Sequence, residues 1–339
     1  MSMTDRKIVT LAIWVIFFNL AAQCYGTLGF GGLQHGFYNG KCRTSDVEDI
    51  VRRTVYSKFL TNRNIAPALL RMQFHDCFVN GCDASILLDG PNSEKTAPPN
   101  LSVRGYDVID AAKTAVEKIC PGIVSCADII IMATRDVVSF SGGARYRIQT
   151  GRRDGLVSLA QNTLTLPPPS SSVTNAIRSF NLKGLTATDM IYLLGGHTIG
   201  IAHCSLFQDR LYNFKNTGKP DPTMELGLLT SLKSKCPQNA TVDGTANLDQ
   251  NPFSSRVVDK SFYSQIMMGR GLLKFDQDLA SDRLSKSKVA TIAGSSDFNA
   301  RFGQAMVKMG AIQVLTGRQG QVRKSCRAVN KLTLTSLFH

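Results

Sequence analysis

The chain has 339 residues, with 39 Lys and Arg against 25 Asp and Glu and a formal net charge of +14. That length buries a large core, either as one big domain or as two lobes around a cleft. A surface this basic attracts polyanions, yet its cations are scattered and no basic run carries interleaved aromatics, which argues against a nucleic-acid-binding protein.

Arg6 and Lys7 precede an apolar run, VTLAIWVIFFNLAA over 9–22, too short for a membrane span and followed by small residues. It reads as a secretory signal peptide over 1–24. Ala22 and Cys24 occupy the small positions before a cut, so the mature chain is expected to start near Tyr25. Losing Arg6, Lys7 and Asp5 with the leader lowers the net charge by one, to +13. For an exported protein the natural polyanion is an acidic polysaccharide. No later stretch is long and apolar enough to span a bilayer.

Nine cysteines fall to eight once Cys24 is removed: Cys42, Cys77, Cys82, Cys120, Cys126, Cys204, Cys236 and Cys326. An even set in an exported chain predicts four disulfides. Only Cys77 with Cys82 is favoured by closeness, with Asn80-Gly81 supplying the turn between them; the other pairings stay open.

The periodic signals are helical. In SDVEDIVRRTVYSKFL, Val47, Ile50, Val51, Val55 and Phe59 trace one apolar stripe, with Ser45 placed to cap the start. IAPALLRMQFHDC predicts a second helix with Pro67 in its early turn. Further helices are predicted at YDVIDAAKTAVEKICP, SCADIIIMATRDVVSF and SVTNAIRSFNLKG. TATDMIYLLGGHTIG follows, opened by a capping box at Thr186 and Asp189. The last are SRVVDKSFYSQIMMG, SKSKVATIAG and SDFNARFGQAMVKMGAI. Strand alternation is scarce. Two polar stretches, TLPPPSSS at 165–172 and residues 236–258, read as loops, and one as long as the second needs a disulfide, a metal or a function to order it. The fold class is mostly α, with long loops pinned by disulfides.

Two stretches carry chemistry. On the second helix Arg71 and His75 are i and i+4 and share a face with Phe74, so a cation, a near-neutral base and an aromatic wall point into one space. The residues that follow, Asp76, Asp83 and Ser85 with the carbonyls of Val79 and Gly81, offer hard oxygen ligands from a tight loop. That set suits calcium, without the spacing of an EF-hand. Farther on, GGHT at 195–198 sets His197 behind two glycines that let a flat ligand approach. A neutral imidazole there is a good iron ligand. His203 lies too far round that helix to share the metal, and no H-E-x-x-H pattern occurs.

These segments resemble those of the secreted plant haem peroxidases, class III, typified by the horseradish enzyme. RMQFHDCFVNGCDASILLDG is similar to the family's distal haem motif and LLGGHTIGIAHC to its proximal one. VSCADIIIMATRD, TGRRDG, DRLYNF, FDQDL and MVKMGAIQVLTGRQGQVRKSC match other family blocks in order, so the resemblance covers about residues 34–330. It implies a two-lobed, mostly α haem peroxidase fold over residues 25–339. One noncovalent haem b lies between distal and proximal helical lobes.

Carried onto this sequence, the resemblance makes Arg71 and His75 the distal catalytic pair. Phe74 lies against the haem, and Asn100 orients His75. It makes His197 the axial iron ligand and Asp276 the partner of its other ring nitrogen. It implies the disulfides Cys42–Cys120, Cys77–Cys82, Cys126–Cys326 and Cys204–Cys236, and an ion pair of Asp128 with Arg152. Two calcium ions are implied. The distal one takes Asp76, Val79, Gly81, Asp83 and Ser85, with Glu94 reaching it through water. The proximal one takes Thr198, Asp249, Ser254 or Ser255, Val257 and Asp259, on a loop longer than the family's by about two residues. Leu166, Pro167 and Pro168 form the substrate rim, and Leu206 stands where the horseradish enzyme has phenylalanine.

The implied reaction uses hydrogen peroxide to oxidise small phenolic donors by one-electron steps, in cell-wall phenolic metabolism, peroxide removal or a stress response. The chain is expected to be a monomer, secreted to the cell wall rather than the vacuole and free of the membrane once processed. Of two N-x-S/T signals, Asn239 is expected to carry a glycan and Asn100, supporting His75, is not. The alternative is a noncatalytic wall polysaccharide-binding protein on the same scaffold.

Overall fold

A computed structural model describes residues 32–331; the predicted leader lies outside the described residues. Within them the chain forms twelve α-helices and one small sheet. Helix α1, Val47–Thr61, buries the expected stripe of Val47, Ile50, Val51, Val55 and Phe59. Its cap is Asp46 and not Ser45: the Asp46 carboxylate accepts from the backbone N–H of Glu48 at 2.9 Å. An anion at the positive end of a helix is the better acceptor. Helices α2 (Ile65–Val79), α3 (Tyr106–Ile119) and α4 (Cys126–Phe140) follow, α4 capped by the Ser125 hydroxyl. α1 packs on α3 and α4, and α2 on α4.

The second half runs α5 (Val173–Leu182), α6 (Ala187–Leu194), α7 (Gln208–Tyr212) and α8 (Leu226–Lys235). It closes with α9 (Ser261–Met267), α10 (Lys274–Ser281), α11 (Lys286–Gly294) and α12 (Phe298–Met309). The Thr186–Asp189 capping box opens α6 as predicted. Helices α7, α8 and α10 were not anticipated: two are short, and α8 lacks a clean apolar stripe. α9 is half the predicted length, because Ser254–Lys260 turns around a cluster of polar side chains instead.

α6 stops at Leu194, and His197 sits on the following 3-10 turn, Gly195–Thr198. His203 is on no helix. It ends strand β1, Ile201–His203, which pairs antiparallel with β2, Thr245–Asn247. That pairing and the Cys204–Cys236 bond order the long polar loop over 236–258.

All four implied disulfides are present: Cys42–Cys120, Cys77–Cys82, Cys126–Cys326 and Cys204–Cys236. One continuous apolar core runs through both halves of the chain, and a smaller one around Phe207, Leu211 and Leu232 sits beside Cys204–Cys236. Two buried ion pairs pin segments distant in sequence, the first of them across the two halves. Arg152 meets Asp128 at 2.7 Å and donates to the Gly310 carbonyl behind α12, and the Tyr38 hydroxyl completes the Asp128 carboxylate. Arg210 meets Asp221 at 2.8 Å and donates to the carbonyls of Gly271 and Leu272. A buried ion pair adds little net stability, because the cost of desolvating its charges offsets their attraction.

Candidate active site

A cavity of about 1620 Å³ opens between the two halves. That exceeds the ~300–1,000 Å³ of most small-molecule sites. Arg71, Phe74 and His75 line it from α2, and Gly196 and His197 from the turn after α6. Leu166, Pro167, Pro168 and Leu206 also line it, as a rim of apolar side chains. The Thr165 hydroxyl donates to the Phe78 carbonyl at 3.1 Å, which ties this rim to α2.

On the α2 wall, His75 Nδ1 donates to Asn100 Oδ1 at 2.6 Å, which places the ring proton on Nδ1 and leaves Nε2 bare. Asn100 is itself held by donation from its Nδ2 to the Glu94 carbonyl at 2.8 Å. Arg71 Nε donates to His75 Nε2 at 3.2 Å. The rest of its guanidinium donates to Ser102 Oγ and to the Pro99 carbonyl, both at 2.9 Å. Burial, reinforced by the Arg71 charge, pushes the His75 imidazole down to about 4, against a smaller upward pull from the Asn100 hydrogen bond. His75 is therefore neutral at physiological pH, as a base must be. Phe74 packs on Phe78 and Phe180, with ring centroids 4.4 and 6.3 Å away.

On the opposite wall, His197 Nδ1 donates to Asp276 Oδ1 at 2.9 Å. Burial pulls the His197 imidazole down, but the charge and hydrogen bond of Asp276 together outweigh it and raise the group. With Nδ1 taken, Nε2 is the ring nitrogen left for a ligand in the cavity, and a buried carboxylate behind it is what an iron-binding imidazole uses as its anchor. Gly196 would meet nothing within 4 Å if given a Cβ, so it leaves the cavity floor open. Gly195 serves a different purpose from the one expected: a Cβ there would strike Phe298 at 2.6 Å, so its smallness serves packing against α12. A flat, iron-bearing macrocycle fits this donor set, one imidazole below and a polar pair above.

Below His75, Asp76 accepts from the backbone N–H of Ala84 at 3.0 Å, and Asp83 from that of Ser85 at 2.9 Å. Gly81 and Ala84 adopt left-handed backbone conformations, φ +98° and 59°, folding the loop back over the end of α2. Burial raises the Asp76 and Asp83 carboxyls and pushes Glu94 up to about 8. Ser85 Oγ and Glu94 Oε2 are buried with no hydrogen-bond partner. Orphaned oxygens beside buried carboxylates fit a hard cation. The Val79 carbonyl accepts from Lys183 Nζ at 3.0 Å, a contact no sequence spacing foretold.

The second polar cluster forms around Thr198, next to His197. The Thr198 hydroxyl lies 3.0 Å from the Val257 carbonyl and 3.2 Å from Asp259 Oδ1. Ser254 Oγ is 3.5 Å from the fully buried Asp249, whose carboxyl is raised by burial with a further contribution from Asp259. Among the described residues, no three His, Cys, Asp or Glu side chains are grouped to hold a metal. Both clusters rely on carbonyls and hydroxyls beside two carboxylates.

Comparison with known proteins decides the family. The peroxidase family model matches residues 51–295. The chain belongs to the peroxidase family. Curated relatives of this peroxidase include Peroxidase 60 of Arabidopsis thaliana, 50% identical over 95% of this chain and 97% of that protein. Peroxidase 57 of the same plant is 49% identical over 89% of this chain and 94% of its own length. Peroxidase N1 of Nicotiana tabacum is 42% identical over 96% and 98%. These plant relatives make this peroxidase a haem-dependent enzyme of class III that acts on hydrogen peroxide and a donor.

Proposed function

We propose that this peroxidase reduces hydrogen peroxide at a haem held between His75 and His197, and oxidises small phenols at the Leu166–Pro168 rim. The observation that carries the reading is the pairing of a neutral base and a guanidinium on one wall with a carboxylate-anchored imidazole on the other. His197 Nε2 would hold the iron and Phe74 would flank the ring. Haem, when bound, supplies the two-electron reduction of peroxide and takes the electrons back one at a time from donors.

The protein's own groups move the protons. His75 Nε2 removes the proton from the inner oxygen of peroxide and returns it to the outer one, so the leaving group departs as water and not hydroxide. Arg71 carries its positive charge beside the splitting O–O bond and stabilises the negative charge that develops there. Asn100 holds the tautomer that makes this possible, and Asp276 holds the His197 proton at Nδ1 and enriches the ring's donor power. Each peroxide consumes two phenols, gives two waters and releases two phenoxyl radicals. The apolar rim, with no charge among Leu166, Pro167, Pro168 and Leu206, suits aromatic rings.

Calcium would bind at Asp76, Val79, Gly81, Asp83 and Ser85, with Glu94 behind them, and a second ion at Thr198, Asp249, Ser254, Val257 and Asp259. The orphaned Ser85 and Glu94 oxygens support the first site. Export with cleavage near Tyr25 is the reading of the leader, and no helix among the described residues is long and apolar enough to cross a membrane. Asn239 is exposed and suits a glycan, whereas Asn100 is buried and engaged with His75 and Glu94. The basic surface would hold acidic wall polysaccharide. The noncatalytic alternative gains no support from a cavity lined by Arg71, His75 and His197, with Asn100 and Asp276 bonded behind the two imidazoles.

Stopped-flow absorbance of the haem-loaded protein, mixed with peroxide and then with a panel of phenols, tests the reading. Peroxide-dependent spectral change followed by phenol-dependent recovery is expected. A haem band that peroxide leaves unchanged would overturn it.

A further inference from the structure

Val79 ends α2 four residues after His75, so its carbonyl is one of the helix's unpaired acceptors at the negative end of the dipole. Lys183 Nζ donates to that carbonyl at 3.0 Å and to Gln313 Oε1 at 2.8 Å. Among the described residues no carboxylate pairs with Lys183; it is an ammonium held by two neutral oxygens. It caps α5, which is fixed to α2 through Phe180 on Phe78, centroids 4.6 Å apart. The Gln313 segment is equally fixed. Its backbone lies so close to Gly81 that a Cβ there would fall 2.4 Å from the Gln313 carbonyl, and the Ile312 carbonyl accepts from Cys82 N at 3.1 Å. Lys183 thus joins three segments at the loop that carries Asp83 and Ser85.

We propose that Lys183 lowers the calcium affinity of this loop by sharing the Val79 carbonyl with the ion, and holds the end of the catalytic helix when the ion is gone. The inference rests on the calcium reading above. A carbonyl has two lone pairs, so one oxygen can serve an ammonium and a divalent ion together. The two cations repel each other at that range, which weakens the site. Without calcium the ammonium is the cation that remains on the Val79 carbonyl, and it keeps the last turn of α2 beneath His75.

Calcium titration by calorimetry on chelator-stripped haem-loaded enzyme tests this in the wild type, Lys183→Gln, Lys183→Met and Lys183→Arg. An Asp83→Asn variant identifies which binding step belongs to this loop. Removing the charge should tighten that step about ten-fold, while Lys183→Arg stays near wild type. In the stripped state, hydrogen exchange at the amides of residues 76–84 should rise in Lys183→Gln and stay slow in the wild type. Should Lys183→Met not fold, the Gln and Arg variants decide alone. A wild-type site that binds calcium with the same affinity in Lys183→Gln overturns the proposal and spares the calcium reading. A wild type with no step sensitive to Asp83→Asn overturns both.

Discussion

Arg71 Nε donates to His75 Nε2 across 3.2 Å, so the atom that must accept a proton from peroxide is already aligned with the guanidinium that must stabilise the leaving oxygen. The contact follows from one helical turn, and its chemical sense from Asn100, which claims the opposite ring nitrogen. A peroxide entering this space displaces the Arg71 contact and meets a base whose lone pair points at it. Replacing His75 with Ala should slow the reaction with peroxide by about 10²–10⁴-fold. Replacing Arg71 with Leu should slow it by about 10²–10³-fold. Both variants should keep the haem spectrum; stopped-flow rates with peroxide check them.

Burial and Arg71 disfavour the imidazolium, so the His75 base is competent above its depressed value of about 4 and is lost as pH falls through it. The rate with peroxide should stay level from neutral pH down to about 5 and fall below that. An ordinary exposed histidine would begin to fail near 6.5. Rate against pH, measured in the first milliseconds so that unfolding does not intrude, distinguishes the two.

Asn100→Ala removes the acceptor that fixes the tautomer without touching peroxide. The rate with peroxide should drop about 10–100-fold, taking as guide the loss when the partner that orients a metal-bound histidine is removed. The same substitution removes the hydrogen bond to the Glu94 carbonyl and deletes an N-x-S signal. Mass spectrometry of the wild type should find Asn100 unglycosylated, since a glycan would occupy the amide that holds His75.

How far such contacts can be read in advance depends on how they are made. Arg71 with His75 was legible because four residues make one turn, and the α1 stripe because burial repeats with the helix. The reach from Arg71 to Ser102, from Lys183 to Val79 and from Ser254 to Asp249 belongs to chain reversals that no local period encodes. The partners of His75 and His197, 25 and 79 residues away, were reached only through the family resemblance. The cap of α1 moved by one residue and His203 left its helix for the same reason. Neighbours compete for one donor or one strand edge, and geometry decides between them.

Calcium removal should act on rate before it acts on fold. Asp76 follows His75 directly, and the loop that carries Asp83 and Ser85 closes over the end of α2, so losing the ion lets the His75 side chain shift even while Lys183 keeps the last helical turn closed. A displacement of about 1 Å is costly to a proton transfer, whereas the apolar core that runs through both halves is untouched. Across a chelator titration, the rate with peroxide should fall while far-ultraviolet circular dichroism holds. Unchanged rates after proven removal of calcium would sink the coupling.

The disulfides should separate stability from activity in the same way. Cys126–Cys326 closes a loop of sequence separation 200, and Cys77–Cys82 one of only 5. On the chain-entropy account the long bond is worth about 5 kcal/mol and the short one about 2 kcal/mol. Replacing Cys126 and Cys326 with Ala should therefore lower the denaturation midpoint strongly and leave the folded enzyme's rate close to wild type. Replacing Cys77 and Cys82 should shift the midpoint less and the rate more, because that bond ties the last turn of the catalytic helix to the loop behind it. Urea denaturation and peroxide kinetics on both pairs check the inversion. An unchanged rate in the Cys77 and Cys82 variant would show that this bond contributes stability alone.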